Sequence, residues 1–229
     1  MEHHFDTELD VLKQKLLTMA SHAETAVNRA VEALVTRNHD LAVRVKDDDT
    51  IIDQCEIEVD DLAIQLLAKA PLASDLRLVT VAMKISQNLE RVGDEAAKIA
   101  KRARDLSREP PLKLNLELPQ MAALALALLK AALDSFVNHD SAAARAIIPR
   151  DKEVDALNKK INGELTLHMM ENRDSIPRCL NLITAARSLE RIADHAKNVA
   201  EEVVYLNEAL DIRHTGAKGQ VTPVPAPGA

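Results

Sequence analysis

The chain has 229 residues, 47% of them hydrophobic and 28% charged, with a formal net charge of -7. That apolar share supports one large core or two small ones and excludes a wholly disordered chain, while the acidic balance argues against a sequence-independent grip on nucleic acid. Phe5, Phe136 and Tyr205 are the only aromatic residues, Trp is absent and Gly occurs five times; Leu, Ala, Val and Ile therefore carry the apolar content, which favours helices and sets aside all-β and doubly wound sheets.

Six amphipathic stripes follow in chain order, each stepping by three and four residues. The first runs Leu9, Leu12, Leu16, Met19, Ala23, Ala26, Ala30, Ala33. The second runs Ile52, Cys55, Val59, Leu62, Leu66 and stops before Pro71; the third runs from Leu78 to Ala103 and ends before Pro110-Pro111. After the double proline come Leu126 to Phe136, Val154 to Leu165 and Leu182 to Leu206. This predicts an all-α fold of two tandem, similar three-helix bundles with six long helices running up and down. The expected boundaries are 1–109 for the first bundle, 110–119 for an extended linker, 120–214 for the second bundle and 215–229 for a disordered Gly- and Pro-rich tail.

Met1 to Asp6 has no basic start and no apolar stretch, so no secretory signal is read there and a cytoplasmic protein is expected. The apolar run Met121 to Leu129 is far shorter than the ~20 residues a bilayer span needs, so no transmembrane segment is expected. Cys55 and Cys179 match no metal or redox spacing and are expected to be reduced. No phosphate-binding Gly loop, nucleophile elbow or zinc-protease motif occurs, so the chain is not expected to be an enzyme.

The repeat is visible residue by residue. Leu89-Glu90-Arg91-Val92-Gly93-Asp94-Glu95-Ala96 matches Leu189-Glu190-Arg191-Ile192-Ala193-Asp194-His195-Ala196. Each half also holds an earlier carboxylate pair of the same spacing, Asp49 with Asp53 and Asp151 with Asp155. Residues i and i+4 share a helix face. If the second and third helices of each half form a hairpin, turning near Pro71 and near Arg173, the pairs come level: Asp53 lies 18 residues before the first turn and Glu90 19 after it, while Asp155 and Glu190 lie 18 and 17 from the second. Their angular positions point all four away from each core. Two surface patches are predicted, Asp49, Asp53, Glu90 and Asp94 in one bundle and Asp151, Asp155, Glu190 and Asp194 in the other.

Clustered carboxylates repel, so a cation should offset them. Hard oxygen donors suit iron, manganese, magnesium or calcium, with zinc less natural. The competing account is that Arg91 and Arg191 neutralise the patches as intrahelical ion pairs, leaving a plain helical scaffold. A carboxylate di-iron oxidase is the enzyme alternative, but its inward Glu-x-x-His motifs are missing. His195 is expected to be exposed or a subsidiary ligand, and Ser74 to cap the third helix.

These residues resemble the PhoU family, the phosphate-transport accessory regulators of bacteria. The likeness rests on Phe5-Asp6-x-Glu8-Leu9, Ser74-Asp75-Leu76-Arg77, Leu89 to Asp94 and Ala186 to His195. It implies tandem helical bundles that carry multinuclear iron or zinc on E/D-x-x-x-D motifs, here the eight carboxylates above. It also implies a negative regulator of the phosphate-starvation response, coupling the ATPase subunit of a phosphate ABC transporter to a sensor histidine kinase. A homodimer, held peripherally at the inner face of the membrane by those partners, is expected.

Overall fold

The computed structural model describes residues 2–69 and 72–213. The turn expected at Pro71 and the tail expected from 215 lie outside the described residues. Seven α-helices occur, and no strand is present among the described residues: α1 (Glu2–Thr36), α2 (His39–Leu67), α3 (Ala73–Ser107), α4 (Leu118–Val137), α5 (Ser141–Ile147), α6 (Asp151–Glu171) and α7 (Ile176–Glu208). They make six rods, because α5 and α6 form one rod interrupted by a 3-10 turn at Ile148–Arg150. Pro149 explains the interruption: it has no N–H to donate to the preceding turn.

The stripes read from the sequence are the buried faces. All eight residues from Leu9 to Ala33 are buried, as are Ile85, Leu89, Val92 and Ile99 of α3 and Leu189, Ile192, Val199 and Val203 of α7. Leu112, Leu114 and Leu116 of the linker pack on the core as half-buried side chains. The helix after the linker begins at Leu118, two residues earlier than expected. By length and composition α4 is apolar enough to cross a membrane, yet half of that stretch is buried within the protein. Its apolar residues Met121, Ala125, Leu128, Leu129 and Phe136 are core.

The two halves repeat in their turns as well as their stripes. Arg37 (φ 58°) and His139 (φ 51°) are left-handed non-glycine residues at equivalent places. Each is followed by a cap: Asn38 accepts from Leu41 N at 3.0 Å, and Asp140 from Ala143 N at 2.9 Å. Arg37 also donates to the carbonyls of Leu106 and Glu109, satisfying the C-terminal end of α3. Ser74 does not cap α3 as expected. Leu72 holds the cap position without a side-chain bond, because the helix starts one residue before Ser74.

Within each half the helices pack on one another, and α3 also packs against α7 across the halves. Lys84 meets Glu202, Asn88 meets His195, Glu95 meets Arg191 and Arg102 meets Asn181. Numbers rising along α3 while falling along α7 make the pair antiparallel, about a pseudo-twofold between Arg91 and Arg191. The buried residues of both halves join in one hydrophobic core.

Candidate functional site

In the first patch the close approach of α2 and α3 is set by Gly93. A Cβ there would lie 2.9 Å from Ile52 Cδ1 and 3.4 Å from Asp49 Oδ1. The missing side chain lets α2 settle against α3 and brings Asp49 beside Asp94. Asp49, Glu90 and Asp94 are half-buried and Asp53 is exposed. Asp49 sits well inside α2. Loss of solvent and the neighbouring Asp53 and Asp94 push the Asp49 carboxyl above the ordinary range, with Lys98 partly opposing them. Glu90 is pushed up by the same loss of solvent, by Asp94, Glu56 and Asp53, against Arg91. Glu56, one turn beyond Asp53, thus belongs to this patch; its i+3 spacing from Asp53 is the signal by which it is legible in the sequence.

The cations of this patch lie on its outer edge. Arg91 reaches Glu90 Oε2 and Asp94 Oδ2, each at 3.3 Å, and is 54% exposed. Lys98 lies 3.9 Å from Asp94 but bonds Glu95 at 2.9 Å. Among the described residues no hydrogen bond or ion pair reaches Asp49 or Asp53.

The second patch differs. Asp151 is buried, a correction to the outward position expected for it. The break at Pro149 makes it the first residue of α6, where an acidic group faces the positive end of the helix dipole. Lys197 Nζ donates to its Oδ2 at 2.8 Å, while Oδ1 is buried without a partner. Asp155 and Glu190 are half-buried. Asp194 is pushed up by loss of solvent and by Asp151, Glu190 and Asp155, with Lys197 opposing. Among the described residues Arg191 makes no ion pair within its own helix as Arg91 does; it crosses to Glu95 at 3.2 Å.

Both patches therefore bring their four carboxylates within electrostatic reach of one another. Neither is a ready metal cage: among the described residues no group of three or more His, Cys, Asp or Glu side chains is gathered closely enough to hold a metal ion as it stands. The donor chemistry of the first patch suits a hard cation that its side chains would close upon. In the second patch the innermost carboxylate already holds an ammonium.

Sequence reasoning missed the groups between the halves. Glu95 is 4% exposed and faces α7. Burial opposes its ionisation, but hydrogen bonds from Ser188, Lys98 and Arg191 outweigh it and hold the carboxyl below the ordinary range. His195 is half-buried, not exposed, and its Nδ1 lies 3.0 Å from Asn88 Oδ1, away from the acidic patch. Loss of solvent drives its pKa down. On the pseudo-twofold the Asn88–His195 contact is the counterpart of Ser188–Glu95. The usable signal is that Glu95 and His195 are the one place where the two motifs differ in a polar, ionisable residue, the other differences being Val92 for Ile192 and Gly93 for Ala193.

A family model described as the PhoU domain matches residues 16–103 and again 118–203. The chain belongs to the PhoU family. It is 40% identical over 222 residues to the phosphate-specific transport system accessory protein PhoU homolog of Pseudomonas aeruginosa, covering 94% of this chain and 92% of that protein. It is 34% identical over 213 residues to the corresponding PhoU protein of Escherichia coli, covering 93% and 88%. The crystal structure of PhoU from Pseudomonas aeruginosa superposes with a TM-score of 0.86 at 40% identity, over 90% of this chain and 99% of that one. The phosphate transport system regulatory protein PhoU from Streptococcus pneumoniae gives 0.83 at 30% identity, over 91% and 99%. The family match confirms the tandem helical fold, and these relatives are named as accessory proteins of a phosphate-specific transport system.

Proposed function

We propose that this chain is a negative regulator of the phosphate-starvation response. It acts as an adaptor, not an enzyme, between the ATPase subunit of the phosphate ABC transporter and the sensor histidine kinase of the phosphate two-component system. The observation that carries this reading is the near end-to-end correspondence, through both repeats, with relatives named as transport accessory proteins. Six rods packed about one core form a stiff body with long exposed helix faces, which suits docking. When phosphate is plentiful the protein favours the kinase state that leaves its regulator unphosphorylated and restrains uptake; in starvation it releases both. It works as a homodimer at the cytoplasmic face of the inner membrane, held there by its partners.

Metal binding is part of the proposal. Loss of solvent at Asp49 and Glu90, to which neighbouring carboxylates add repulsion, supports a bound cation at the first patch. Iron or zinc follows from the family likeness, and manganese or magnesium from the oxygen donors. A second reading, a scaffold without metal, is favoured by Arg91 and Lys197, which already neutralise part of each patch.

Deletion of the gene tests the role. Transcripts of phosphate-starvation genes should rise in phosphate-rich medium and fall back on complementation; unchanged transcripts would remove the proposal. Pull-down from replete and starved cells should recover the transporter ATPase and the kinase from the replete cells. Elemental analysis of protein purified without chelator decides between metal binder and scaffold.

A further inference from the structure

We propose that the segment joining α3 to α4 is a strand without a partner strand, and that it takes up an extended, acidic peptide segment of another protein by backbone pairing. Such binding depends neither on the regulatory role nor on a bound metal.

Pro111 to Leu116 lie in no helix and alternate in burial: Pro111, Lys113 and Asn115 are exposed, while Leu112, Leu114 and Leu116 are half-buried against the core. A period of two is that of an extended chain. Among the described residues no backbone–backbone hydrogen bond is made by these six residues. Side chains pin only the start of the segment: Arg37 donates to the Glu109 carbonyl, and Arg178 Nη1 to the Pro110 carbonyl at 2.9 Å. Beyond them a row of N–H and C=O groups stands open as on an edge strand, a surface that a second extended chain can satisfy.

The walls beside the segment select the chain that fits. An open groove of about 260 Å³ borders it, walled by Leu114 and Leu116, by Leu34 and Val35 at the end of α1, by Leu106 of α3 and by Leu182 of α7. Among the described residues the only ionisable side chains lining this groove are Arg37 and Arg178. The Arg178 side chain is 15% exposed, and its Nε is buried without a hydrogen bond, 3.6 Å from Glu109 Oε2. A carboxylate entering the groove meets two guanidiniums in apolar surroundings, where charge-assisted hydrogen bonds are strong. A second groove, about 430 Å³, lies between Pro111–Lys113 and the α6–α7 turn, but its charges are mixed, Lys113, Arg173 and Arg178 against Glu171 and Asp174, so it selects no sign. A fatty amphiphile would suit the leucines and arginines yet leave the backbone row unpaired; a peptide with alternate apolar and acidic side chains satisfies all three.

Titration of a fluorescein-labelled Glu-Val-Glu-Val-Glu-Val peptide into the full-length protein, read by anisotropy, tests this. Binding should saturate, and amide hydrogen exchange within 111–117 should slow about tenfold or more in the complex. The same peptide with its backbone amides N-methylated, or with Lys in place of Glu, should bind at least about tenfold more weakly. Leu114→Asp and Val35→Asp should each weaken binding by a similar factor; Val35 is 53% exposed, so its variant keeps the test valid even where Leu114→Asp does not fold. Equal binding of the N-methylated peptide, or unchanged exchange in the complex, would overturn strand pairing. Dodecanoate binding in the groove with no binding of the peptide would make it an amphiphile site, and protection of 111–117 that rises with protein concentration without peptide would make the occupant a second copy. Either result would overturn the proposal, as would no binding at all, and none of them bears on the transcript test of the regulatory role.

Discussion

At the scale of single residues, two sets of carboxylates respond to pH in opposite senses. The Asp49 carboxyl is held above its ordinary value of 3.8 by loss of solvent and by its acidic neighbours. The native state therefore binds more protons than the unfolded chain in that window, and stability is gained as pH falls through the raised value. In metal-free protein, Asp49→Asn should raise the melting temperature at neutral pH by about 1–3 °C, the gain vanishing near pH 4. Glu95 behaves in reverse. Its carboxyl is held below the ordinary 4.5 despite burial, by Ser188, Lys98 and Arg191, so its stabilisation is present above that value and lost as pH falls through the depressed one. Glu95→Gln should cost about 1–3 kcal/mol in denaturant titrations at pH 7, with the deficit shrinking below about pH 4. The two variants thus report separately on patch and interface.

At the scale of the helix, the α2–α3 contact depends on a residue without a side chain. Gly93→Ala would gain about 1 kcal/mol of helix propensity. The added Cβ would meet Ile52 Cδ1 at 2.9 Å, the mobile end of a side chain that can turn away. The net change in stability should stay within about 1 kcal/mol, as a buried Ala193 at the matching place in α7 accords with. A larger side chain cannot be absorbed this way: Gly93→Leu should destabilise by about 2 kcal/mol or more in urea titrations and move Asp49 off Asp94. The helix scale also explains why the patches differ. α2 runs unbroken past Asp49, whereas Pro149 cuts the matching rod and leaves Asp151 at a helix start, turned inward to Lys197.

At the scale of the whole molecule, the halves are not independent beads. α3 lies antiparallel on α7, and the polar contacts from Lys84–Glu202 at one end to Arg102–Asn181 at the other tie them together. Arg213 adds to the Glu202 end, bonding it at 3.2 Å. Thermal unfolding of the full chain should be a single cooperative transition in calorimetry, because both repeats share one core. A fragment ending at residue 117 leaves the α7-facing side of α3 uncovered, Glu95 included; it should melt roughly 10 °C or more below the full chain or self-associate on sizing columns.

What the chain alone determined is everything that periodicity and spacing encode: the rods, their buried stripes, the duplication, and the level placement of Asp49, Asp53, Glu90 and Asp94, since rise per residue and turn position convert directly into height along a hairpin. Helix angle also encodes which side of a rod is apolar, but not what covers the other sides. Only the tertiary structure decided that α7 packs on α3, because that contact includes the polar residues Asn88, Glu95, Arg191 and His195, which belong to no apolar stripe. It alone turned Asp151 inward and gave it Lys197 as a partner, since the reach of a long side chain between helices depends on where their axes come to rest, and no period in the sequence records that.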